Sequence, residues 1–335
     1  MKLAVGFLTY NEASAKYLAD FLPSLEAALG FLKESDCQVL AFDNSPSSNN
    51  VNRLTLEAWN GSCDESGRLH RLIKYLSVGK NLGFGRAYNF LLNLATDNQA
   101  EYFLIINPDT LLDANAVSEL IAALDKQADL AAAAPKILRF DFVRHLKTEI
   151  IDSLGLILRP GLQFLDLGQG QTDNSSLYST EIIGPSGAAG LFRLSALIKI
   201  GESNAVDQTV HYFDERFFMY KEDCDLAYRL FIAGYKSRLV VTSVIYHDRT
   251  ATSSGRNLWQ IIIDRQKKSR QIRSWSFKNQ HLLFIKHWKK QNIVNRVFIV
   301  FRFLSMLIFS LILEQFNLKQ YYYIWLSRKE LTNIK

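Results

Sequence analysis

At 335 residues, 48% hydrophobic and 21% charged, the chain has enough apolar material for a large folded core, which excludes a disordered polymer. Cys37, Cys63 and Cys224 lie far apart without metal-ligand spacing, which excludes a disulfide scaffold and fits free thiols in a reducing compartment. The net charge of +6 is unevenly spread: from residue 249 on, 17 Lys and Arg face 3 Asp and Glu, so the body is net acidic and the tail suits nucleic acid or an anionic membrane surface.

The chain opens on an apolar run, 3–8, too short for a secretory signal and read as a buried strand ending at Thr9-Tyr10-Asn11. Segment 14–33 has helical periodicity, with Leu18, Phe21, Leu22, Leu25, Leu29 and Leu32 on one face. Strand 39–42 ends at Asp43-Asn44-Ser45, and helix 51–59, strand 72–76 and helix 83–94 follow. Strand 102–106 ends at Asn107-Pro108-Asp109; then come helix 117–124 and strand 130–138. Strands alternating with helices imply right-handed crossovers and parallel pairing. Polar residues gather after each strand, at the edge where open α/β sheets bind ligands.

Between 140 and 210, short strands broken by Gly155, Gly161, Gly168, Gly170 and Gly184 suggest antiparallel additions. Aromatic 213–220 leads into Glu222-Asp223-Cys224-Asp225, helix 226–233 stops at Gly234, and strand 238–246 ends at His247. The tail differs in kind. Residues 256–290 are basic, with Trp259, Trp275 and Trp288 among them, and 297–313 is apolar apart from Arg302 and Ser305. That length is near the lower limit for a span, and a central Arg costs about 2–3 kcal/mol on insertion. Tyr321-Tyr322-Tyr323-Ile324-Trp325 has the character of an interface anchor.

Four groups could carry chemistry. Asp109, at a strand end, can hold a divalent cation against phosphates, although Asn-Pro-Asp also makes a plain turn. Glu222-Asp223 opens a helix, as a cap or as a general base taking a proton from a hydroxyl. Asn81-Leu82-Gly83-Phe84-Gly85-Arg86 precedes a helix start suited to phosphate, but has neither the dinucleotide nor the P-loop spacing. His247 matters only if folding brings it to Asp109.

In this order, Thr9-Tyr10-Asn11, Asp43-Asn44-Ser45, Asn81-Leu82-Gly83-Phe84 with Asn89, Asn107-Pro108-Asp109, Gly187-Ala188-Ala189-Gly190, Phe213-Asp214-Glu215, Glu222-Asp223-Cys224-Asp225-Leu226 with Arg229, Gly234 and Tyr246-His247 closely resemble glycosyltransferase family 2, nearest its bacterial rhamnosyltransferase-like members. The resemblance covers about residues 2–250. It implies an α/β GT-A fold, a Rossmann-like mixed sheet flanked by helices, with nucleotide half 1–110 and acceptor half 111–250. Residues 251–335 would form a helical membrane-associating tail. It implies inverting transfer of a sugar, first rhamnose from dTDP-rhamnose, to a saccharide or lipid-linked saccharide in cell-surface polysaccharide synthesis.

The resemblance places Thr9, Asn11, Asp43, Asn81, Gly83, Asn89, Asn107 and Asp109 on the nucleotide-sugar. It makes Asp223 the base with Glu222 beside it, and gives Mg²⁺ or Mn²⁺ to Asp109 and His247. Asn107 replaces the first acid of the family's DXD motif. The competing readings are a non-catalytic nucleotide-sugar binder, a nucleotidyltransferase and a nucleic-acid binder. Asp109 with Asp223 opposes the first, and residues 6–11 lack the second's glycine-rich basic loop. The apolar 297–313 segment favours lipid over nucleic acid, at the inner face of the cell membrane. Packing of that segment on the catalytic body or on a second subunit, as a homo-oligomer, is its other use.

Overall fold

The computed structural model describes residues 1–47, 49–178, 181–203, 209–248 and 265–332. The first half alternates β1 (Leu3–Thr9), α1 (Asn11–Leu29), β2 (Cys37–Asp43), α2 (Val51–Asn60), β3 (Ile73–Ser77), α3 (Phe84–Asp97), β4 (Tyr102–Ile106), β5 (Thr110–Leu112) and α4 (Ala116–Lys126). β1 and β4 are unbroken apolar runs because helices cover both faces of the sheet. α1 starts three residues before the periodic segment. The Tyr10 N–H donates to Ser14 Oγ at 2.9 Å and the Asn11 N–H to Ser45 Oγ at 2.7 Å, so strand passes into helix in one turn.

The middle adds β6 (Leu130–Asp141), β7 (Leu146–Ser153), β8 (Leu156–Arg159), β9 (Gln163–Asp166), β10 (Ala189–Arg193), α5 (Leu194–Ile200), β11 (Glu202–Ser203), β12 (Val210–His211), α6 (Glu222–Ile232) and β13 (Lys236–His247). Among the described residues nine strands form one mixed sheet, ordered β3-β2-β1-β4-β10-β6-β13-β5, with β7 paired to β6. β1 pairs in parallel with both β2 and β4. The chain winds outward from β1 to β3 and then returns to β4 on the other side. That reversal opens a crevice beyond the carboxyl ends of β1 and β4. β10 runs antiparallel between β4 and β6, and β13 antiparallel to β5. The last pairing sets His247 opposite Thr110, next to Asp109.

The C-terminal helices are α7 (Arg270–His287), α8 (Ile293–Ile312) and α9 (Gln320–Thr332). Arg249, Arg256 and Trp259 lie outside the described residues. The sequence expects the cations of 256–290 to face a membrane; α7 departs from this. Its Leu282, Leu283 and Phe284 share a core with Phe217, Cys224, Ala227 and Tyr228 around α6, and with Leu162 and Phe164 of the β8–β9 hairpin. Lys286 turns inward to Asp214 and Asp225, because those buried carboxylates need a partner more than the solvent needs the lysine. α8 is different: it is long and apolar enough to cross a membrane by length and composition, and 11% of it is buried. Arg302, the residue that makes a span costly, belongs to its protein-facing side. Arg302 donates to the Gly161 carbonyl at 2.9 Å and stacks over Phe284.

Candidate active site

A cleft of about 430 Å³ lies at the crevice between β1 and β4. Of the residues singled out from sequence, Thr9, Asn107, Asp109, Glu222, Asp223 and His247 line it. Asp109 follows β4, and its carbonyl accepts from the Asp248 N–H at 2.9 Å, which ties the end of β13 across the turn. His247 Nε2 then stands 3.4 Å from Asp109 Oδ1, and Nδ1 stands 2.8 Å from Asp152 Oδ2. Burial pulls the His247 pKa down, but the Asp109 and Asp152 carboxylates outweigh it and push it up to about 10. Asp152 was not legible in the sequence. Neither was the 2.6 Å bond from Tyr17 Oη to Asp248, also in the cleft wall.

Asp223 enters from α6. Its Oδ2 accepts from the Gly187 N–H at 3.0 Å and its Oδ1 from the Cys224 N–H at 2.7 Å. A side chain at Gly187 would press on that carboxylate. Glu222, beside it, is buried with Oε2 lacking a hydrogen-bond partner. Burial first, then the Asp223 charge, raise its pKa well above the ordinary range, which disfavours a second charge beside Asp223.

The loop before α6 is unusual. Tyr220 and Lys221 both take φ of 73°, a conformation costing of order 1–3 kcal/mol per non-glycine residue. Asn279 of α7 holds them there, donating to the carbonyls of Met219 at 2.8 Å and Tyr220 at 2.7 Å. On the other side, the Phe84 N–H donates to the Phe218 carbonyl at 2.9 Å. Only glycine fits at position 83: its φ is +77°, and a Cβ would overlap that carbonyl.

The remaining sequence-selected residues act behind the cleft wall. Asp43 is fully buried and accepts from the Ser45 N–H and Oγ, Asn50 Nδ2 and Tyr75 Oη. Asn11 offers its carbonyl to Asn52 Nδ2. Asn81 accepts from the Gly83 N–H at 2.8 Å and so shapes the start of α3. Asn89 does not reach the cleft: its Oδ1 accepts from the Phe213 N–H at 2.7 Å and its Nδ2 donates to the Phe213 carbonyl at 2.9 Å.

The cleft is strongly acidic. Asp109, Asp152, Asp166, Asp223 and Asp248 line it against His247 and Lys221, with the buried Glu222 carboxyl beside them. A diphosphate would enter such a site poorly without an added cation. Asp109 Oδ1 is buried and has no hydrogen-bond donor, and His247 Nε2 faces it. A carboxylate oxygen beside an imidazole nitrogen fits a divalent cation that takes its other ligands from phosphate and water. Among the described residues no group of three or more potential ligands forms a closed site, in keeping with that division.

The family model for glycosyl transferase family 2 matches residues 5–221. Proteins from two strains of Mycobacterium tuberculosis, each named N-acetylglucosaminyl-diphospho-decaprenol L-rhamnosyltransferase, are 27% identical over 273 residues, covering 76% of this chain and 78% of theirs. The crystal structure of S. aureus TarS matches with a TM-score of 0.54 at 15% identity, over 96% of this chain. This chain spans 47% of that one, and the likeness is one of fold.

Proposed function

The chain belongs to glycosyltransferase family 2, and from that premise we propose that its cleft transfers a hexose, with inversion, from a nucleotide-sugar to a hydroxyl of a lipid-linked saccharide. The observation that carries this reading is the convergence of Asp223 and the Asp109–His247 pair on one cleft. Rhamnose from dTDP-rhamnose is the first donor to test, because the M. tuberculosis relatives are named as rhamnosyltransferases of a diphospho-decaprenol-linked sugar. Residues 1–110 hold the nucleotide, with Thr9 in the cleft wall and Asn11 and Asp43 shaping it from behind, and residues 111–250 hold the acceptor.

Asp223 takes the proton of the acceptor hydroxyl as its oxygen attacks the anomeric carbon. The bond from that carbon to the diphosphate oxygen breaks, and its electron pair leaves with the diphosphate. The two backbone N–H groups on Asp223 fix its direction, so the carboxylate is oriented before substrate arrives. Burial and the Asp223 charge oppose ionisation of Glu222, which limits the negative charge met by the diphosphate. Asp109 and His247 would hold Mg²⁺ or Mn²⁺, which supplies positive charge for the departing diphosphate. A thermal-shift panel of nucleotide-sugars with and without Mg²⁺ or Mn²⁺, followed by transfer to a polyprenyl-diphosphate-linked sugar, tests the reading. Binding without transfer would leave a nucleotide-sugar binder instead.

The enzyme works on the cytoplasmic side of a membrane, resting on α8 and α9. Phe301, Leu304, Ile308 and Ile312 of α8 are exposed, as are Tyr322, Tyr323 and Trp325 of α9. Exposed Lys289 and Lys290 precede α8, where each cation near an anionic surface is worth about 1 kcal/mol. With Arg302 bonded inward, α8 can lie along the interface, its apolar face in lipid. Sedimentation with anionic liposomes tests this, with Phe301→Glu and Leu304→Glu in the full chain as controls. A wild-type protein left in the supernatant at low salt, or one forming a dimer that these substitutions break, assigns the face to a second subunit.

A further inference from the structure

Asp152 lies at a fault in the sheet. β7 pairs antiparallel with β6, but Ile137 faces Ser153 while Leu138 faces Ile151, so Asp152 is the extra residue of a β-bulge. Bulges beside active sites re-aim a side chain that regular pairing would direct elsewhere. Here the re-aimed carboxylate is 1% exposed and meets His247 Nδ1 at 2.8 Å. The imidazole of His247 is thus flanked by carboxylates on both nitrogens, Asp152 on Nδ1 and Asp109 on Nε2.

A neutral imidazole carries one N–H. A ring that ligates a metal through Nε2 must carry its one N–H on Nδ1, where the 2.8 Å contact hands it to Asp152. Nε2 and Oδ1 stand 3.4 Å apart, close enough for one cation to touch both. We propose that Asp152 is a positioning residue for that cation: it fixes the ring orientation and tautomer of His247 so that Nε2 is offered together with Asp109. This rests on the metal reading of the same cleft. Carboxylate–histidine–metal chains of this form set ligand direction, and loss of the outer carboxylate typically costs 10–100-fold in metal affinity.

The test is Mn²⁺ binding to the full chain, read from the electron paramagnetic resonance of free Mn²⁺, with thermal melting alongside. Asp152→Asn, close in shape, weakens Mn²⁺ binding by about 10–100-fold. In a His247→Gln background the same substitution has no further effect, because Asp152 acts through the ring. In the unmodified protein with Mg²⁺, ¹⁵N chemical shifts of His247 report a protonated Nδ1 and an unprotonated Nε2. That measurement stands even if the variants fold poorly. Unchanged Mn²⁺ affinity in Asp152→Asn, an undiminished loss in the His247→Gln background, or a protonated Nε2 with Mg²⁺ overturns the role of Asp152 while leaving the metal site standing. No Mn²⁺ binding by the unmodified chain overturns both.

Discussion

Lys286 of α7 lies 2.9 Å from Asp225 of α6, with the lysine side chain 4% exposed and the aspartate 0%. Arg229 and His287 also hold Asp225. Burial alone would raise the Asp225 pKa, but Lys286, Arg229 and His287 outweigh it and hold the carboxyl well below its usual range. A depressed folded pKa contributes stability that is present above the unfolded value of about 3.9 and lost as pH falls through the folded one. Lys286→Met therefore destabilises the fold toward the low end of about 3–5 kcal/mol, since the Arg229 cation and the His287 hydrogen bond remain on Asp225. Asp225→Asn should flatten the loss of stability below about pH 4. Urea titrations at pH 3.5 and pH 7 measure both.

Asn279→Ala releases the carbonyls of Met219 and Tyr220 and lets residues 220 and 221 relax from the left-handed region. The start of α6 then loses its aim. kcat falls at least tenfold, a loss of about 1.4 kcal/mol of transition-state stabilisation. Nucleoside-diphosphate affinity stays within about twofold, under about 0.4 kcal/mol by the same scale. Steady-state kinetics with calorimetric binding decide; an equal loss in both would mean general unfolding.

Asp223→Asn keeps its shape and its place at the head of α6 but cannot take a proton. Transfer falls by about 10²–10⁴-fold while donor binding and melting temperature hold. Activity near that of the unmodified enzyme removes Asp223 from the chemistry.

Asp109→Ala removes the carboxylate beside His247. In Mg²⁺ or Mn²⁺ it should weaken donor turnover on the order of 100-fold, since a metal supplies several kcal/mol of charge stabilisation at a departing phosphate. EDTA should reproduce the effect in the unmodified enzyme and do little further to the variant. Full activity in EDTA would assign the diphosphate to Lys221 and His247 instead.

Glu222 carries the opposite pH signature to Asp225. Its folded pKa is raised by burial and by Asp223, so its contribution is full below the unfolded value of about 4.3 and is lost as pH rises through the folded value. Glu222→Gln removes that loss. Melting temperatures at pH 5 and pH 8 should differ less in the variant than in the unmodified protein.

The framework was readable because its signals are local. β1 is a seven-residue run ending at Thr9, and β4 has the bounds its apolar run predicts. Asp109, Asp223 and His247 stood out because each follows an apolar run or opens a helix. Other residues were hidden because their meaning is set by partners distant in sequence. Asn89 looks like a ligand group on a helix, yet its amide is committed to Phe213, 124 residues away. Asp152 acquires its direction from a bulge that exists only once β6 and β7 pair. Lys286 of α7 looks solvent-seeking until Asp214 and Asp225 are folded against it.

The core shared by α6, α7, α8 and the β8–β9 hairpin has a mechanical consequence. The Arg302 bond to Gly161 and the burial of Ile299 fasten α8 to the same body that carries Asp223. Asp223 therefore keeps a set height above the exposed face of α8. If α8 rests on a membrane as proposed, the fold would act as a ruler, favouring acceptors whose hydroxyl rises to that height from the anchor that holds them.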